Sequence, residues 1–108
     1  MELAPQQMRI LQRLTTRGFE IVAFPMYANH IGVRRGNCAA LLTQLTSGGL
    51  AMYTEPAFLI GGNFSARINR KGRGWFVWKN EKLEATQSRL EELEGFSREL
   101  RDALLPAV

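Results

Sequence analysis

Short apolar runs broken by glycine fill the middle of this chain, with breaks at Gly36-Asn37, Gly48-Gly49, Gly61-Gly62 and Lys71-Gly72-Arg73-Gly74. Glycine reaches the positive φ that tight turns need, so breaks 11 to 13 residues apart predict an antiparallel meander. At both ends the spacing becomes helical. Pro5 suits a first helical turn and Gly18 a left-handed cap; between them Met8, Leu11 and Leu14 share a face, which predicts a helix over residues 5 to 17. Arg9, Arg13 and Arg17 repeat every four residues and read as its solvated side, with Arg17 set against the negative end of the helix dipole. Near the other terminus Ser88 and Glu91 resemble a capping box. They open a helix that ends before Pro106 and carries Leu90, Leu93, Phe96, Leu100 and Leu104 as its apolar stripe.

Between the helices, Phe19 to Phe24 forms a first strand, Pro25 marks a bend, and Tyr27 to Arg35 continues extended. Arg35-Gly36-Asn37-Cys38 suits a two-residue type II′ turn, which sets Val33 opposite Ala40, Ile31 opposite Leu42 and His30 opposite Thr43. Residues 38 to 46 also fit a helix, because Cys38, Leu41, Leu42 and Leu45 recur at i, i+3, i+4 and i+7. The strand is preferred, since a helix there would orphan the turn at 36 to 37. A further strand runs from Leu50 toward Ile60, interrupted at Glu55-Pro56. Phe64, Ala66 and Ile68 then alternate with Ser65, Arg67 and Asn69, and Trp75 to Lys79 returns across the 71 to 74 turn. The expectation is one α+β domain over 1–108: an antiparallel β-meander of about five strands flanked by an N-terminal and a C-terminal helix.

Composition narrows the setting. No apolar segment approaches the ~20 residues of a membrane span, no leader pattern opens the chain, and the single Cys38 cannot form an internal disulfide. A cytoplasmic protein is the default expectation. Residues 1 to 80 carry ten Arg or Lys against three Glu, whereas residues 81 to 108 carry four against seven acids. A basic body and an acidic tail therefore lie behind the net charge of +4.

Catalytic constellations are thin. One histidine and one cysteine on a common hairpin make neither a zinc site nor a nucleophile pair, and the body holds only Glu2, Glu20 and Glu55 as carboxylates. There is no GxGxxG before a helix, phosphate-loop lysine motif, GxSxG or HExxH. The reading is of a non-enzymatic module without metal or cofactor.

The sharper signal is the hairpin from Asn69 to Lys79. With a tight turn centred on residues 72 and 73, Ile68 faces Val77, Arg67 faces Trp78 and Asn69 faces Phe76. One face then holds Phe64, Ala66, Ile68, Trp75 and Val77 as core. The other combines Arg67 and Asn69 with Phe76 and Trp78, beside the basic turn of Arg70, Lys71 and Arg73. Rings beside guanidinium groups suit bases, and the turn cations suit phosphates, so the expected partner is anionic, single-stranded nucleic acid foremost. Lys71-Gly72-Arg73-Gly74-Trp75-Phe76-Val77-Trp78 resembles the RNP1 octamer of RNA-recognition and cold-shock domains. The resemblance covers eight residues, with an arginine where that motif stacks its first aromatic and an order of elements that is neither fold's. Two alternatives stand beside it. A flanking helix could cover Phe76 and Trp78, or the charge split could serve a protein partner or homodimer, with the acidic helix on the basic body of a second subunit.

Overall fold

The computed structural model describes residues 2–105. Its order is α1 (Pro5–Thr16), β1 (Glu20–Val22), a 3-10 turn at Pro25–Tyr27, β2 (Ile31–Arg35), β3 (Cys38–Gln44), β4 (Leu50–Met52), β5 (Ala57–Ile60), β6 (Asn63–Phe64), β7 (Ala66–Arg70), β8 (Arg73–Trp78), β9 (Glu81–Glu84) and α2 (Gln87–Leu104). The α+β class holds, with terminal helices beside antiparallel strands. The strands number nine among the described residues rather than five, and they divide into a six-stranded and a three-stranded sheet. No helix in this range is long and apolar enough to cross a membrane.

The first hairpin has the expected register, Ile31 opposite Leu42 and Val33 opposite Ala40, and Gly36 takes φ +60 at the turn. His30 lies outside β2 and packs on Tyr53, with ring centroids 3.8 Å apart. Residues 38 to 44 are strand, not helix. In that register Cys38, Ala40 and Leu42 share one face of the sheet with Ile31 and Val33 and are buried there. β4 and β5 run along the same edge of β3, separated by the Glu55-Pro56 break.

Both helices pack on the Val33, Cys38, Ala40 and Leu42 face, bringing Ile10 and Leu14 from α1 and Phe96, Leu100 and Ala103 from α2. The opposite face is met by Phe24, whose ring approaches Gly32 and packs at a tilt against Phe64, with centroids 4.8 Å apart. The buried stripe of α1 is Gln7, Ile10 and Leu14, and Met8 is 50 % exposed. Gln7 is buried because its amide is fully used. Its oxygen accepts from the Ala4 N–H and from Gln44, and its nitrogen donates to the Gly49 carbonyl at 3.0 Å.

The arginine row of α1 is not simply solvated. Arg13 donates to the Ala103 and Leu105 carbonyls at the end of α2, and Arg17 pairs with Asp102 at 2.9 Å. Helix α2 is capped two residues earlier than its sequence suggests, with the Thr86 hydroxyl accepting from the Arg89 N–H. Pro106, the expected stop, lies outside the described residues.

Candidate functional site

The site is built on the three-stranded sheet. Its first turn is formed by Lys71 (φ +54) and Gly72 (φ +76), with Arg70 opposite Arg73. Positive φ at both central positions defines a type I′ turn. The register therefore differs by two residues from the expected one: Ile68 faces Trp75, Arg67 faces Phe76 and Asn69 faces Gly74. A shift of two keeps every side chain on its face. What reverses is which face is core.

The strand that sequence reasoning missed explains the reversal. Lys79 (φ +53) turns the chain into β9, which sets Leu83 opposite Phe76 and Glu84 opposite Trp75. Phe76, 1 % exposed, stacks on Phe58 of the large sheet with centroids 5.0 Å apart and an interplanar angle of 14°. Helix α2 crosses the same side with Leu90 and Leu93. The proposed stacking role of Phe76 is therefore corrected: its ring has no face left for a ligand. Trp78 is half-buried, with Lys79 Nζ 4.6 Å from its ring centroid. Arg67 is exposed at a cleft of about 930 Å³ between α2 and the strands, and Asn69 is exposed at a smaller one of about 400 Å³. Three acids (Glu55, Glu91, Glu94) and three arginines (Arg67, Arg98, Arg101) line the larger cleft, and Arg101 is bonded to Glu55. Its balanced charge selects no anion.

Arg70, Lys71 and Arg73 are exposed, as expected, but they belong with the outer face and its tip. Pairing assembles that face in rows: Arg70 with Arg73, then Ile68, Trp75 and Glu84, then Ala66, Val77 and Lys82. Ile68, Trp75 and Val77, expected as core, are only half-buried there. Lys82 Nζ stands 4.9 Å from the centroid of the Trp75 ring. Trp75 and Lys82 thus lie on the basic outer face but were not among the candidate residues read from the sequence. The available signal was the alternation Glu81-Lys82-Leu83-Glu84 just after Lys79-Asn80.

Electrostatics separates this sheet from the rest of the chain. Residues 66 to 84 carry six cations against two glutamates, a surplus of four that equals the net charge of the whole protein. Elsewhere eight cations balance eight acids. Of those eight, Arg13, Arg17, Arg34, Arg35, Arg89 and Arg101 each donate to a carboxylate or a backbone carbonyl. Among the described residues none of the six on the small sheet has a carboxylate within 4.0 Å.

The nucleophile and metal options add nothing to this site. Cys38 is buried in the core, its thiol pushed up to about 12 first by burial and then by the Glu92 carboxylate. The described residues hold no cluster of three His, Cys, Asp or Glu placed for a metal ion. Neither family models, nor curated proteins, nor solved structures yield a match to this chain.

Proposed function

We propose that this protein is a small non-enzymatic binding module that holds an anionic polymer against the outer face and tip of its three-stranded sheet. The observation that carries this is the segregation of charge: the entire positive surplus stands on one small sheet, without an ion pair among the described residues, while the remainder of the chain is neutral and holds all three ion pairs. Unpaired cations on a common surface keep their field for a partner and release counterions from a polyanion. Backbone geometry adds support. Lys71 and Lys79 both hold positive φ, a conformation that disfavours L side chains other than Asn and Asp. Cations are placed at the two turns of this sheet in spite of that local strain.

Arg70, Lys71 and Arg73 form the tip, Lys82 and Trp75 the centre, and Lys79 the far turn. The test is fluorescence anisotropy of a labelled single-stranded oligonucleotide and of a heparin fragment across a salt series. Wild type is compared with an Arg70→Gln, Lys71→Asn, Arg73→Gln variant, in which Asn suits the turn. Three lost phosphate contacts should lower the slope of log K against log salt by about 2. Wild type that binds neither polyanion at low salt, or a triple variant that binds as wild type does, rejects the reading.

A further inference from the structure

We infer that the ligand of this face is single-stranded nucleic acid, bound with one unpaired base on the Trp75 indole and with the phosphates on either side of that base held by Arg70 and Arg73 and by Lys82. The inference rests on the polyanion reading and names its substrate class.

Four observations lead to it. First, cation, ring and cation follow one another in order along the outer face, because β8 carries Arg73, Trp75 and Val77 on one side and Val77 is paired with Lys82. Successive rows lie two strand residues apart, about 7 Å. A nucleotide has one phosphate on each side of its base, and the rows offer charge in that same order. Second, the ring's neighbours on this face are Ile68 across on β7, Val77 along β8 and Glu84 across on β9, so the ground is apolar on two sides, and the carboxylate on the third turns phosphates toward the Arg70–Arg73 and Lys82 rows. Third, Lys82 already occupies the π-face of Trp75 at 4.9 Å. A base that stacks there displaces the ammonium sideways, where the neighbouring phosphate takes it up, so the cation–π contact is exchanged for an ion pair rather than lost. Fourth, Phe76 is excluded by burial, which leaves Trp75 as the aromatic on this face.

A duplex cannot use this arrangement, since its bases are stacked inside and only phosphates reach a flat sheet. A sulfated polysaccharide would meet the cations and leave the ring alone. The three polyanions are thereby separated by what they do to Trp75.

In a Trp78→Phe variant Trp75 is the sole tryptophan and reports its own contacts. At low salt a short oligothymidylate should quench its emission strongly on binding, whereas a heparin fragment and a blunt DNA duplex should bind with little change. Against labelled ligands, Trp75→Leu should weaken the single strand about tenfold, leave heparin within about twofold, and be largely rescued in Trp75→Phe. Far-UV circular dichroism and a thermal melt confirm that each variant is folded. Unchanged Trp75 emission on binding the single strand, or a Trp75→Leu variant that loses heparin and oligonucleotide alike, overturns the stacked base and leaves polyanion binding standing. Failure of all three polyanions to bind removes both.

Discussion

Phe58 and Phe76 stack at 5.0 Å with their planes 14° apart, one ring from each sheet, and the contact decides which side of the small sheet is open. Had Phe76 turned outward, the aromatic surface would be the one expected from the sequence. Because it turns inward, Trp75 occupies the outer face by strand alternation.

It follows that Phe76 belongs to stability and not to binding. Phe76→Ala should lower unfolding free energy by about 3–5 kcal/mol, the range for emptying a buried phenylalanine site. Urea titration measures this. Oligonucleotide affinity, taken at a temperature where the variant remains folded, should stay within about twofold of wild type.

Two glycines predict opposite outcomes for the same substitution. A Cβ on Gly32 would sit 2.4 Å from both the Val22 carbonyl oxygen and the Phe24 ring, and the first of these is backbone that cannot swing away. Gly32→Ala should destabilise by about 1–3 kcal/mol. Gly95, inside α2, has open space where its Cβ would be, so Gly95→Ala should stabilise by about 0.5–1 kcal/mol through helix propensity. Paired thermal melts, one falling and one rising, check both.

How far these features could be read in advance differs by their physical origin. The 36 to 37 turn and the register of Ile31 and Val33 were legible because a glycine turn and an alternating apolar face reinforce each other within a few residues. The break at Glu55-Pro56 was legible because proline lacks a ladder donor. By contrast, burial of Phe76 depends on Phe58 and on α2, both distant in sequence, and either face of the small sheet offered enough apolar residues to serve as core. The burial of Gln7 was equally hidden, since its partners at Gln44 and Gly49 lie some forty residues away. Of the candidate site, the basic tip was legible; Trp75 and Lys82 were not, because short β9 carries a charged, weakly strand-like sequence.

The buried thiol predicts a slope in stability at alkaline pH. Burial, and then the Glu92 carboxylate, raise the Cys38 pKa from 9.0 to about 12, with Arg35 opposing. Above about pH 9 an unfolded chain releases this proton while the folded one retains it, so the unfolded state binds fewer protons and stability falls as pH rises toward 12. The difference in stability between wild type and Cys38→Ala should therefore be constant below pH 9.0 and shift against wild type above it, as urea titrations at a series of pH values would record. At neutral pH the native thiol should resist a soluble disulfide reagent and react once the chain is unfolded.

Lys71 is where stability and binding should part. It holds φ +54 as the first residue of the turn, followed by Gly72, and asparagine suits that position better than lysine does. Lys71→Asn should raise unfolding free energy by about 0.5–1 kcal/mol by relieving left-handed strain. The same change removes one cation from the tip, so the salt slope for a single strand should fall by about 0.7. If Lys71→Asn stabilises the protein and leaves oligonucleotide binding and its salt dependence untouched, the tip is an ordinary solvated turn and takes no part in recognition. Stabilisation together with a shallower salt slope is the outcome that assigns this lysine to the partner, and the two measurements, a thermal melt and an anisotropy series, can be made on one preparation.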